Sequence, residues 1–217
     1  MKNADRLRLL FRAITGDDNA RSLLRWRLLR LDRLLFEHHL QRDDLVYDVG
    51  GYRGDWTCGM LGKYPCEYHI FEPHPEAFRQ LSGRFAGHDD VSLHEFAIGG
   101  ANGFVSLSSA AEGSSIVSRR SDDSIQVRLV DVCQHLSNQG RQVALMKLNI
   151  EGAEFELLEK LLWSDVLDNS GDFLIQFHLG TTDARSRYRK IADKLRETHR
   201  CLWRYPFLWE LWRRNVP

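Results

Sequence analysis

The chain has 217 residues, 43% of them hydrophobic, which suits one domain that buries about 70% of its unfolded surface without a metal or disulfide framework. Thirty Lys and Arg balance thirty Asp and Glu, so whole-molecule electrostatics give no reason to expect a nucleic-acid partner. The four cysteines, Cys58, Cys66, Cys133 and Cys201, contain no C-x-x-C pair; this argues against zinc, and they read as small buried apolar residues of a reducing compartment.

Residues 1–42 carry ten Lys or Arg against five Asp or Glu. Through that run Leu23, Leu24, Leu28, Leu31, Leu34 and Leu35 recur at three- and four-residue steps, the pattern of an amphipathic helix. Such a basic helical extension either packs on the edge of a sheet with its arginines in water or lies on an anionic membrane or a partner. His38 and His39 follow it and read as solvent-facing. No apolar run approaches the roughly 18 residues needed to cross a bilayer, and Met1-Lys2-Asn3-Ala4-Asp5-Arg6 lacks a signal peptide's apolar core. The expectation is a cytoplasmic protein, with peripheral contact at the inner face of a membrane through residues 1–42 as an option.

The domain proper, 43–217, begins with a strand at 45–50 that ends in Asp48 and runs into Gly50-Gly51-Tyr52-Arg53-Gly54. Glycines at Gly50 and Gly54 suit a sharp turn into a helix near 55–62, around a ligand that a Cβ would push away. A second strand at 67–72 ends in Glu72, and Pro73 and Pro75 lead into a helix near 75–85. Neighbouring parallel strands open their carboxyl ends onto one crevice, so Asp48 and Glu72 are expected to face a common ligand. An acid at the second strand's end accepts ribose hydroxyls, which points to a nucleoside. The order D-x-G-x-x-x-G differs from the G-x-G-x-x-G of dinucleotide sites. An early acid suits a cationic amino-acid group better than a pyrophosphate, which favours S-adenosylmethionine over a nicotinamide cofactor.

A strand at 91–97, a glycine turn at Gly99, Gly100 and Gly103, and a short strand at 104–107 follow. The small and polar stretch 108–124 reads as a loop, either a lid in which Arg119 and Arg120 grip an anionic substrate or plain surface chain. Beyond it come a strand at 125–130, a short helix from Asp131, a buried strand at 143–149, a helix at 152–163, a strand at 172–178 and a helix at 184–197. The aromatic segment Trp203 to Trp212 supplies closing strands. Alternation of this kind predicts a mostly parallel sheet with helices on both faces.

Lys147 and Asn149, two apart on a strand, point the same way; Glu151 and Glu154 share a helix face. Acids also favour helix N-termini through the macrodipole, so Glu154 reads as structural and Glu151 as functional. His178 closes the last parallel strand and titrates near working pH, which makes it a candidate base; the alternative is an ordinary hydrogen-bonded strand-end histidine.

Five motifs in order, Asp48-Val49-Gly50-Gly51-Tyr52-Arg53-Gly54, Phe71-Glu72-Pro73-His74-Pro75, Phe96-Ala97-Ile98-Gly99, Val130-Asp131 and Lys147-Leu148-Asn149-Ile150-Glu151-Gly152-Ala153-Glu154, resemble FkbM-type methyltransferases over residues 45 to about 180. The resemblance implies a Rossmann-like class I methyltransferase fold and S-adenosylmethionine-dependent O-methylation of a sugar, glycan or related natural product. The expected cofactor contacts are Asp48, Gly50, Gly51, Tyr52, Gly54, Thr57, Glu72, Pro73, Ala97 and Asn149, with the adenine near Phe96 and Ala97. His178, Lys147 and Glu151 are the expected catalytic residues. Asn149 stands where the family pattern has aspartate, and Gln176 where a glutamate often precedes the histidine, so no metal ligand set is expected. Those two residues also keep alive a binding protein that retains the cofactor pocket without turnover.

Overall fold

The computed structural model describes residues 11–108, 124–180 and 182–215. The N-terminal helix α1, Asp18–Leu29, is capped by Asp17, whose carboxylate accepts from Ala20 N, and it ends at a left-handed Arg30 with φ 51°. A 3-10 turn, Leu31–Phe36, continues it. Trp26 is buried and meets Trp203 and Tyr205 at ring-centroid distances of 6.0 and 5.3 Å, while Arg21, Arg25, Arg27 and Arg30 remain exposed. The basic extension therefore packs on the sheet edge. Leu28 and Leu29 also stay exposed. Among the described residues no helix is long and apolar enough to cross a membrane.

The main sheet takes β1 (Leu45–Val49), β2 (Glu67–Phe71), β3 (Val91–His94), β7 (Val143–Leu148), β8 (Ser170–Ile175), β9 (His199–Tyr205) and β10 (Trp209–Arg214). Its order is β3-β2-β1-β7-β8-β10-β9. The pairs among β3, β2, β1, β7 and β8 are parallel, and β10 enters antiparallel between β8 and β9. The chain winds outward from β1 to β3 and returns to β7 on the other side of β1. That reversal is the switch point at which such sheets open a crevice.

Helices α2 (Asp55–Leu61), α3 (Pro75–Arg84), α4 (Val132–Gln139), α5 (Glu154–Leu162) and α6 (Ala184–Thr198) connect these strands. Pro75 starts α3 and Asp131 caps α4, whose last turn ends at Gly140 with φ 71°. Side chains alternate across the sheet. Leu45, Tyr47 and Val49 join the larger core with Leu136, Phe155, Leu158 and Ile191, whereas Val46 joins Trp56, Met60, Leu145 and Leu211 on the opposite face.

The stretch expected as one strand at 91–97 divides. After β3 the chain leaves the sheet, and β4 (Ala97–Gly99) pairs in parallel with β6 (Ser124–Asp131), which pairs antiparallel with β5 (Gly103–Ser108). Between those last two strands, residues 109–123 lie outside the described residues, and with them the expected lid and its Arg119 and Arg120. Two further expectations need correction. His38 is 8% exposed and its Nε2 donates to Leu35 O at 3.0 Å, because the 3-10 turn folds it beneath Trp56 instead of into water. Of the cysteines only Cys66 is buried, and Cys58 is exposed on α2.

Candidate active site

At the switch point a cleft of about 180 Å³ opens. Its floor comes from Val49, Gly50 and Tyr52 at the end of β1, Phe71, Glu72 and Pro73 at the end of β2, and Asn149, Ile150, Glu151 and Ala153 after β7. Ala97, Ile98, Val105, Leu107 and Leu129 from the three-stranded sheet form an apolar wall. The alternation of Val105 and Leu107 was the sequence signal for that wall, since period-two apolar residues on a short strand need something to cover.

The first loop is built by backbone contacts. Gly50 N and Gly51 N both donate to Phe71 O, at 2.9 and 3.3 Å, and Tyr52 takes a left-handed φ of 48°. Positive φ at Gly50 and Gly54 is easy only for glycine. A Cβ on Gly50 would sit 2.1 Å from Asn149 O, and one on Gly54 would sit 2.4 Å from the Phe85 ring. The missing side chains thus clear space for protein; Gly50 also lines the cleft, whereas Gly54 does not.

Asp48 and Lys147 also differ from expectation. They are register partners on β1 and β7, and strand parity turns both toward α2, away from the cleft lining. Asp48 is fully buried; its Oδ1 accepts from Lys147 Nζ at 2.7 Å and its Oδ2 from Thr57 Oγ1 at 2.7 Å. Lys147 Nζ donates also to Gly50 O at 2.8 Å, so the pair pins the turn from below. With its amine engaged and 4% of its surface exposed, Lys147 lies outside the cleft lining. Thr57, Gly51, Gly54, Gln176 and His178 likewise lie outside the lining.

Glu72 does line the cleft. Its Oε2 accepts from Tyr52 N at 2.8 Å and its Oε1 from His74 N at 2.9 Å, which uses two of its four acceptor positions. Burial pushes its pKa up against those backbone donors and the nearby Lys147 charge. Asn149 Oδ1 is a buried acceptor in the same lining with no hydrogen-bond partner, which is costly unless a donor arrives. Ala97 lines the wall, while Phe96 packs against the core.

At the mouth, Glu151 adopts a left-handed φ of 51°, followed by Gly152 at 109°. Such a turn at a non-glycine residue costs roughly 1–3 kcal/mol and persists only where the surroundings hold it. His178 lies beside it, with Nε2 3.6 Å from Glu151 Oε1 and Nδ1 3.2 Å from Glu154 Oε1. Glu154 is fully buried and accepts from His178 N and Gly152 N, each at 2.7 Å. Burial lowers the proton affinity of His178, but the Glu154 hydrogen bond and the charges of Glu154 and Glu151 outweigh it, and its pKa lies above the ordinary histidine value. The position of Glu154 at a helix start concealed this contact, because an acid there needs no other explanation.

Residues 48–196 match the profile of the methyltransferase FkbM domain. Comparison with curated proteins gave no match. Among solved structures, a Streptococcus mutans protein described as a methyltransferase and solved in complex with SAH aligns at a TM-score of 0.52 and 8% identity, over 86% of this chain and 97% of that one. An rRNA methylase from Streptococcus thermophilus aligns at 0.50 and 13% identity, over 87% and 96%. A Clostridium thermocellum protein assigned as an rRNA methylase aligns at 0.51 and 10% identity, over 86% and 97%. At these identities the likeness is one of fold, and the fold is that of class I methyltransferases.

Proposed function

Because the chain belongs to the FkbM methyltransferase domain family, we propose that it transfers a methyl group from S-adenosylmethionine to a hydroxyl of a sugar, glycan or related small natural product. The observation that carries this reading is the pairing of a cleft holding a half-satisfied carboxylate, Glu72, with an imidazole, His178, held beside the cleft residue Glu151.

The residues present fit the cofactor. Glu72 has two acceptor positions left for ribose hydroxyls. The unpartnered Asn149 Oδ1 can accept from an ammonium, and the apolar wall of Ala97, Ile98, Val105, Leu107 and Leu129 suits an adenine ring. Pro73, Gly50 and Tyr52 complete this set. Asp48 and Thr57 support it from beneath through the Lys147–Gly50 contact.

When bound, the cofactor supplies a methyl carbon already activated by its sulfonium, so the protein has to position the acceptor and remove its proton. Glu154 can only accept, so a hydrogen bond at Nδ1 leaves Nε2 of neutral His178 with a free lone pair. That nitrogen takes the hydroxyl proton as the acceptor oxygen attacks, and the imidazolium so formed is held between Glu151 and Glu154. Glu151 at the cleft rim accepts from further hydroxyls of the acceptor. Glu151, exposed at the mouth, opposes a phosphate-rich acceptor, which favours a glycan over a nucleic acid.

Label transfer from tritiated S-adenosylmethionine into cell-envelope glycan extracts and into total RNA tests the assignment. Incorporation into glycan by the intact protein, lost in His178→Ala, supports it. Incorporation into RNA alone overturns the acceptor class. Background incorporation into both, with S-adenosylhomocysteine bound, favours a cofactor-binding protein without turnover, the reading that Asn149 and Gln176 suggest.

A further inference from the structure

We infer that Glu154 is the positioning residue of the site: it fixes the tautomer and orientation of His178 and, through the same carboxylate, holds the left-handed turn that carries Glu151. The inference rests on His178 acting as the base.

A buried carboxylate is expensive unless fully satisfied. The rest of the buried face of α5 is Phe155, Leu157, Leu158, Leu161 and Leu162, so an apolar residue would serve packing alone at this position. Glu154 does not act as a local cap either. Instead of turning to the free amides of its own helix, it reaches backward to Gly152 N and across to His178, 24 positions away on the segment after β8.

Three donors meet two oxygens. Gly152 N takes Oε2 at 2.7 Å, while Oε1 receives both the backbone N and the ring Nδ1 of His178, at 2.7 and 3.2 Å. Holding ring and backbone of one residue on one oxygen fixes where the imidazole stands. A carboxylate accepts and cannot donate, so the ring proton must lie on Nδ1 and the lone pair on Nε2. Among the described residues, the charged groups that face the ring are Glu154 from α5 and Glu151 from the turn before it, and both favour the imidazolium. Movement of Glu154 would therefore disturb the base and the Glu151 turn together.

Histidine-resolved NMR of the intact protein reads the tautomer and titration of His178 directly and needs no acceptor. The wild-type ring is expected to carry its neutral-state proton on Nδ1. Glu154→Gln is expected to shift its titration to lower pH, mix the tautomers, and lower the rate of label transfer into glycan by about tenfold or more. The acid limb of that rate should move to lower pH by the same interval as the ring. Unchanged S-adenosylhomocysteine affinity and unfolding midpoint would separate this from a folding defect. A wild-type ring protonated on Nε2 overturns the inference, and that measurement requires no substitution, so a variant that fails to fold cannot shelter it. Wild-type tautomer, titration and rate in a folded Glu154→Gln also overturn it, while a dead His178→Ala leaves the base reading intact. A fully active His178→Ala removes the base reading itself and this inference with it.

Discussion

The underside of the first loop and the edge of the cleft both contain acids facing a basic side chain, yet they are built to opposite ends. Beneath the loop, Asp48 and Lys147 meet at 2.7 Å with 0 and 5% of their side chains exposed, and each has a second partner in Thr57 or Gly50 O. Neither residue lines the cleft, so whatever capacity the pair keeps is turned away from a ligand there. At the mouth, Glu151 is 40% exposed in a strained turn, and the Nε2 of His178 stands 3.6 Å from it, beyond direct hydrogen-bond reach. Burial away from the cleft marks the support, and polar capacity facing the cleft marks the working edge. Glu72 and Asn149 fall with the second group, although both are as close to the sheet as the first.

The largest effect that separates the two regions is in folding. Lys147→Met leaves the Asp48 carboxylate buried beside only the Thr57 hydroxyl, and urea denaturation should show a loss of roughly 3–5 kcal/mol. Lys147→Met with Asp48→Leu removes both charges and should recover much of that loss; a single variant within 1 kcal/mol of wild type would break the distinction. Next in size, Glu72→Gln should weaken S-adenosylhomocysteine binding by about tenfold, about 1.4 kcal/mol, in calorimetry. Its urea midpoint should move less than that of Lys147→Met, and an unaltered affinity would return Glu72 to the structural group.

The acid side of the pH profile sharpens the contrast further. His178 must be neutral to accept a proton, and its pKa lies above the usual histidine value of about 6.5. The transfer rate should therefore fall as pH drops through a limb above that value, whereas a limb in the usual carboxylate range would point to Glu151 as the base. The smallest expected change is at Phe104, 73% exposed on the outer strand β5 and outside the cleft lining. Phe104→Ser should leave stability within about 0.5 kcal/mol and binding unaltered.

Much of this arrangement was legible in the sequence. The strand–helix alternation, Pro75 and Asp131 at helix starts, and Glu72 facing the cleft all follow from local rules that tertiary packing does not override. What the sequence hid has a different physical cause in each case. Asp48 ends a motif that reads as ligand-facing, but one step of strand parity sends it under α2, and the motif alone does not fix which face carries the ligand. Glu154 had a sufficient local explanation, so its contact with a residue 24 positions away left no trace in the pattern. The apolar wall from β5 and β6 depends on pairing between segments that flank the loop, and such distant pairing is weakly coded in short strands.

The position of the bound nucleoside separates the two regions most directly. A crystal structure with S-adenosylhomocysteine should place the ribose hydroxyls on Glu72 and the amino-acid end near Asn149, with the Asp48–Lys147 pair intact at 2.7 Å. A ligand that displaces Lys147 to bond Asp48, or one that binds outside the switch-point cleft, would contradict it.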